Sequence, residues 1–232
     1  MSMPSLRSSG SRQLSPALAA VVGALEEDIV LGQLHPRERL VEDELIERFQ
    51  VRRHVARAAL AELVHMGLVE HRKNVGAFVR SYSHAEVLEL YEMRELLETQ
   101  ATERMPCPAP VAAVAQLRAL QSVHEAAVAA GEPRQIFRAN MAFHRALFEL
   151  CPNRVMVDAI QYYATQTHAI RFSSARSSAA QDRSRAEHAA MIDALERGDR
   201  ATLVRLCRQH LSPSRDEYLQ ANRRYLDEPA LS

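Results

Sequence analysis

Net charge is the first thing this chain lacks: 29 basic residues balance 29 acidic ones among 232. A uniformly basic nucleic-acid coat is thereby excluded, though a local basic patch is not. Lysine is nearly absent. Every basic residue but Lys73 is arginine, which favours planar, bidentate contacts with phosphate, carboxylate or base edges. Glycine is scarce at 7 residues and proline stands at 10, so this is no low-complexity chain. The three cysteines, Cys107, Cys151 and Cys207, are odd in number and sit at no metal-finger or redox spacing. They fit a reducing cytosol, with three small buried thiols. No apolar run is long enough to span a bilayer. The remainder, 47% apolar and 25% charged, suits one large soluble domain or two small ones.

One segment imitates a secretory signal, because Arg7 and Arg12 precede the apolar stretch Leu14 to Leu25. Pro16 interrupts it, and Glu26, Glu27 and Asp28 follow at once. Leu18, Val21, Val22, Leu25 and Ile29 recur at helical spacing straight through those acids, which reads as one amphipathic helix and not a signal.

Along the chain, residues 1–16 are Ser-rich and read as a disordered tail. A helix then runs to about Leu31, a short one covers 42–49, and another covers about Arg53 to Met66. Two alternating segments, LVEHR and GAFVRS, flank Lys73-Asn74-Val75-Gly76 and read as a β-hairpin. After Tyr82 no strand signal returns. Residues 84–105, 110–130, 134–151, 154–175, 180–197 and 199–226 read as six helices, separated by proline, glycine and Ser-rich breaks. The fold class is therefore mainly α: a winged helix-turn-helix over 17–82, an antiparallel all-helical bundle over 83–226, and a short tail at 227–232.

In a winged helix-turn-helix the second helix enters a major groove and the hairpin lies against the backbone or minor groove. Charge agrees with this. From Gln50 to Arg80 the basic residues Arg52, Arg53, Arg57, Arg72, Lys73 and Arg80 face only Glu62 and Glu70, a net charge of +4. Arg53 and Arg57 share one helical face, opposite Val55, Ala59, Leu60 and Leu63. Arginines so placed reach guanine edges or grip phosphates. Gly76 would let the wing tip approach a sugar-phosphate backbone closely.

The stretch RERLVEDELIERFQVRRHVARAALAELVHMGLVEHRKNVGAFVR resembles the DNA-binding domain of the GntR family of bacterial transcription regulators. The resemblance implies DNA contacts by Arg53, Arg57 and Gly76, and the residues expected to face DNA are Arg52, Arg53, His54, Arg57, Arg72, Lys73 and Gly76. Three positions depart from the family. Arg52 stands where Ser is usual, His54-Val55 where Thr-Pro is frequent, and Arg37 where Gly is usual. Arg52 removes a helix N-cap and adds a cation.

Farther on, histidines lie on apolar helical faces. His144 shares a face with Phe137, Asn140, Met141, Leu147, Phe148 and Cys151; His188 with Met191, Ile192 and Leu195; His210 with Leu203, Leu206 and Cys207. One such histidine is usually a hydrogen-bonded core residue. Three, with Asn140 one turn before His144, suit a divalent transition metal. Arg94 sits with Val87, Leu90, Tyr91, Leu97 and Ala101, and a buried guanidinium needs an anion, either Glu98 four residues on or a ligand carboxylate.

FRANMAFHRAL, RAEHAAMIDALERGD and LCRQHL resemble the helical effector-binding FCD domain of the FadR-type GntR subfamily. The resemblance implies metal ligation by Asn140, His144, His188 and His210. Asn140 replaces the commoner Asp, and the lost carboxylate implies a weaker or differently selective site for a Zn, Ni or Mn type ion. It further implies that Arg94, in YEMRELLET, binds a small carboxylate effector. His168 and Arg171 are minor candidates for the same pocket, read first as surface or interhelical residues. The function so implied is a cytoplasmic, homodimeric, ligand-responsive regulator, in all expectation a repressor, on a pseudo-palindromic operator and away from membranes. A metal-dependent hydrolase and a DNA-binding dimer without a metal site are the alternatives.

Overall fold

The computed structural model describes residues 14–174 and 177–223. The tails expected at 1–16 and 227–232 therefore fall outside the described residues, apart from 14–16. Helix α1 (Pro16–Val30) opens on Ser15, whose hydroxyl accepts from the Leu18 amide, with proline in the first turn. Of the stripe read from the sequence it buries Val21, Val22, Leu25 and Ile29, while Leu18 in its first turn is half-buried. α2 (Glu42–Phe49) starts on three acidic residues, which complement the helix dipole, and ends at Gln50 in the left-handed region, φ 51°. That residue makes the turn into α3 (Arg53–His65), which buries Ala56, Ala59, Leu60 and Leu63 against α1.

Strands β1 (Arg39–Leu40), β2 (Val69–Arg72) and β3 (Gly76–Val79) form an antiparallel sheet in the order β1-β3-β2. The β2–β3 hairpin was expected and β1 was not, since two residues are too few to show alternation. Arg37, just before β1, holds φ 69°. A side chain there is strained, which accounts for the glycine that the resembled family keeps at this position.

The second half holds α4 (His84–Arg104), α5 (Val111–Ala130), α6 (Pro133–Phe148), α7 (Arg154–Gln166), α8 (His168–Ser174), α9 (Ser178–Arg197) and α10 (Arg200–Ala221). Six helices were expected and the described residues form seven, because the helix read over 154–175 breaks at Thr167. The Thr167 hydroxyl lies 3.2 and 3.0 Å from the carbonyls of Tyr163 and Ala164 and also meets Arg94, 3.2 Å away. Such side-chain bonding competes with helix continuation. The break lets α7 pack on α4 while α8 turns to α10 and α1.

Ser83 caps α4 in a reciprocal capping box with Glu86. Ser83→Ala is expected to cost about 0.5–2 kcal/mol. A thermal melt superimposable on that of the unaltered chain would show that the cap contributes nothing.

Each half has its own core. One joins α1–α3 to the sheet through Leu25, Leu63 and Val79, and the other centres on Phe143, Leu147, Ile192 and Leu195. Between them, Glu27 and Asp28 of α1 are buried against Arg134 and Arg138 of α6 and Arg48 of α2, at 2.5–3.0 Å. Tyr82 Oη lies 2.9 Å from the Gly67 carbonyl and 2.8 Å from that of Gln166. The acids that ended the apparent signal segment are thus the seam between the two halves.

All three cysteines are free. Cys151 and Cys207 are buried, but Cys107 is only half-buried, because it lies in the proline-rich connection after α4 and not on a core-facing helix. Among the described residues no helix is long and apolar enough to cross a membrane.

Candidate metal centre and DNA-facing surface

Helix α3 presents Arg52, Arg53, His54 and Arg57 on its exposed side, opposite the buried Ala56, Ala59, Leu60 and Leu63. Arg52 occupies the N-cap and makes no side-chain capping bond, as its replacement of serine implied. Lys73 is exposed at the wing tip. Arg72 is half-buried, bonds Glu70 through Nε at 2.8 Å, and lies 4.5 Å above the Phe78 ring. It is held by its own wing. Gly76 has φ 129°, and a Cβ there would stand 3.4 Å from Arg39 Nε. Arg39 was missed in the sequence. It enters through β1, where Leu40 faces the core and Arg39 faces out beside the wing. A groove of about 600 Å³ runs between α2, α3 and the wing, with Arg39, Arg53, Arg57 and Gly76 on its walls.

In the second half, α6 supplies Asn140 and His144, α9 supplies His188, and α10 supplies His210. The structure brings the three imidazoles together. His144 Nε2 lies 3.3 Å from His188 Nε2 and 3.1 Å from His210 Nε2. The outer nitrogens orient the rings. Gln121 Nε2 faces Glu125 Oε1 at 3.0 Å and the Arg185 carbonyl at 3.3 Å, which leaves Gln121 Oε1 to accept from His188 Nδ1 at 3.0 Å. His210 Nδ1 donates to Glu187 Oε2 at 2.5 Å. With protons on these two Nδ1 atoms, both rings turn their Nε2 lone pairs inward, that of His188 also lying 3.4 Å from the Ser184 hydroxyl. His144 Nε2 can offer one hydrogen to two such acceptors. A cation satisfies all three lone pairs at once, and histidines oriented by a carboxylate or amide oxygen are the usual outer support of a metal.

Burial keeps His144 and His188 neutral. It holds His144 well below the usual histidine range, helped by Arg171 and His210, and holds His188 there too, helped by His210 and His124. Phe143 stacks on His188 with centroids 4.0 Å apart and walls the site from the core. Asn140 is 6% exposed and lines a small cavity of about 70 Å³ together with His210 and Glu187. The three imidazoles therefore fit a divalent ion held by nitrogen ligands.

His124 was missed. It is 2% exposed, its ring centroid lies 5.3 Å from that of His188, and it lines the same cavity. Burial above all lowers its pKa to about 4. The signal was available, since Leu117, Gln121, His124 and Ala127 follow one buried helical stripe that carries two polar residues.

Arg94 makes the intrahelical pair weighed from the sequence. Its Nε and Nη2 lie 2.9 and 2.8 Å from Glu98 Oε1, and both residues are buried. Arg171 and His168, read first as surface or interhelical residues, are buried as well. Arg171 is pushed down to about 10, chiefly by burial and then by Arg94. His168 Nδ1 lies 2.8 Å from Glu26 Oε1 of α1. Arg94 and Arg171 line both the small cavity and a larger one of about 640 Å³ that also touches His144, His168, Phe137 and Met141.

Glu187, adjacent to His188 in sequence, was the one acid weighed as a general base for hydrolysis. Its carboxylate is committed to His210 Nδ1, where it orients a ring.

Comparison with known proteins agrees with both halves. The FCD domain family matches residues 89–213, more than half of the chain, and the family of bacterial regulatory proteins named gntR matches residues 18–79. The chain is 29% identical over 153 residues to the Uxu operon transcriptional regulator of Escherichia coli K12, covering 59% of this chain and 60% of that one. It is 25% identical over 199 residues to the HTH-type transcriptional repressor RspR of the same strain, covering 84% and 86%. In structure it is similar to a candidate GntR transcriptional regulator from Rhodococcus sp. RHA1, with TM-score 0.73, 21% identity, and coverage of 89% of this chain and 99% of that one. Escherichia coli McbR/YncC is similar at TM-score 0.72 and 16% identity, covering 90% and 99%. Structural likeness at such identities carries the fold alone. With both family matches falling on the two halves just described, the chain belongs to the GntR family of bacterial transcription regulators, carries an FCD domain, and is not an enzyme.

Proposed function

We propose that this regulator is a homodimeric, metabolite-responsive repressor acting in the cytoplasm. Residues 17–82 are its DNA-binding unit and 83–226 its effector-binding and dimerisation unit. The observation that carries the reading is the convergence of three imidazole Nε2 atoms in a buried bundle joined to a winged helix-turn-helix. Arg53 and Arg57 read base edges, Arg52, His54, Arg72 and Lys73 support the contact, and Gly76 lets the wing approach the backbone. A divalent transition ion of the Zn, Ni or Mn type is held by His144, His188 and His210, with Asn140 as a weaker fourth donor. When bound, it supplies a Lewis-acidic anchor for a small carboxylate effector.

Arg94, already paired with Glu98, contributes through its place on the wall of both cavities. An effector alters DNA binding only if it binds the DNA-competent and incompetent arrangements differently. Leu88 and Leu96 on α4, and Val155 and Tyr162 on α7, are exposed apolar side chains on two helices that pack together, and they offer surface for a dimer to cover. The name of the RspR relative supports the repressor reading.

The test is a fluorescence-anisotropy titration on duplexes selected from a randomised pool with the unaltered chain. Arg53→Ala should lose about 1–3 kcal/mol per half-site, or roughly five- to 150-fold in affinity. Unchanged affinity would remove Arg53 from the interface.

A further inference from the structure

The two arginines assigned to base reading do not stand free. Arg57 Nε lies 3.0 and 2.9 Å from the two carboxylate oxygens of Glu42. Arg53 Nη2 lies 2.8 Å from Asp43 Oδ1, and its Nη1 is 3.9 Å from Glu42 Oε2. Glu42 and Asp43 open α2, and Arg53 and Arg57 open α3, so the helix-turn-helix itself sets the pairing. All four line one groove. The groups remain within reach of DNA: the side chains of Arg53, Arg57 and Asp43 are 58%, 63% and 73% exposed.

We infer that Glu42 and Asp43 are specificity-determining residues, which hold Arg53 and Arg57 away from phosphate and keep them for uncharged base edges. The inference rests on the base-reading role proposed above for the two arginines. Sequence-independent binding comes almost entirely from cations that neutralise phosphates and release counterions. A carboxylate already in contact with a guanidinium supplies that neutralisation internally, and it repels an incoming phosphate. A guanine edge presents two acceptors and no net charge. It can take the Nη hydrogens of Arg57, whose Nε alone is bonded to Glu42, without displacing the carboxylate. The two acids therefore weaken binding to arbitrary DNA more than binding to the operator, and so widen the ratio between them.

Glu44 provides the control. It belongs to the same acidic first turn, yet it makes no ion pair with either arginine among the described residues. The full chain and the variants E42Q, D43N and E44Q are titrated, across a salt series, against a random-sequence duplex and against the duplex selected by the unaltered chain. E42Q and D43N should each bind the random duplex roughly fivefold tighter at low salt, the size of one charge pair at contact distance in water. The slope of log K against log salt should steepen by about 0.9 for each further phosphate that the freed arginines neutralise. Binding to the selected duplex should tighten less, and E44Q should change neither quantity.

Unchanged slope and ratio in both E42Q and D43N would overturn the inference, and so would an E44Q as altered as they are, since net charge alone would then explain the effect. Thermal melts accompany the titrations. Should E42Q fold poorly, D43N, whose carboxylate is the more exposed, carries the same test. Arg53→Ala separates the two readings. If it binds the selected duplex like the unaltered chain, the base-reading role fails; if it weakens while D43N matches the unaltered chain, only the present inference fails.

Discussion

Replacing Glu98 by alanine should be among the most damaging single changes in the bundle. It strips the buried Arg94 guanidinium of the carboxylate that its Nε and Nη2 share. The Thr167 hydroxyl remains, but it is a dipole and does not neutralise the charge. Breaking a buried ion pair by removing one partner costs about 3–5 kcal/mol. In a chain of this size that lowers the melting temperature by roughly 6–20 °C. The adjoining cavity of about 70 Å³ has room for water to solvate the guanidinium, so the lower part of the range is expected. Replacing both members by apolar residues, Arg94→Met with Glu98→Leu, should recover most of the loss, because no charge is then left unpaired. An E98A chain that melts within a degree of the unaltered one would show that Arg94 finds its anion elsewhere. The double variant also separates fold from function, since it keeps the helix packing while removing the proposed effector contact.

Adding a divalent transition ion should stabilise the unaltered chain and leave His188→Ala untouched. The three Nε2 atoms, with the rings of His188 and His210 fixed through Nδ1 by Gln121 and Glu187, form a ligand set that exists only in the folded bundle. An ion that binds only the folded state adds about 2.7 kcal/mol of stability at a free concentration one hundred times its Kd. That raises the melting temperature by about 5–11 °C. The measurement is a melt in Zn(II), Ni(II) or Mn(II) against chelator, alongside elemental analysis of protein purified without a His-tag. Equal melting with and without each ion, and no metal in the purified chain, would sink the metal reading. The DNA assignment would stand, and the effector search would turn to ligands held by Arg94 without an ion. If His188→Ala kept the full shift, the ion would bind at another place.

Much of this was readable from local pattern. Spacing of apolar residues located the helices of both halves, since amphipathic periodicity is a property of a few consecutive turns. It also put His144, His188 and His210 on inward faces, because each is surrounded at helical spacing by residues that are in fact buried or, like Met141 and Leu206, half-buried. The break at Thr167 was not readable. Nothing in 154–175 interrupts the apolar pattern, and the hydroxyl that ends α7 is engaged by Arg94 from another helix. β1 was invisible because a two-residue strand exists only through its partner β3.

What the sequence alone determined, then, is the class of protein: a winged helix-turn-helix followed by a helical bundle, with arginines on the second helix and histidines on inner faces. Periodicity and charge act over a few residues, and those features need no more. The tertiary structure decided which groups meet. It set His210 on Glu187 and His188 on Gln121, drew His124 into the same cavity, and paired Arg53 and Arg57 with Glu42 and Asp43. It also turned Glu26, Glu27 and Asp28 from a hydrophilic interruption into the seam between the halves. Such pairings depend on the crossing angles and offsets of packed helices, which the packing of whole faces sets and no single helix encodes.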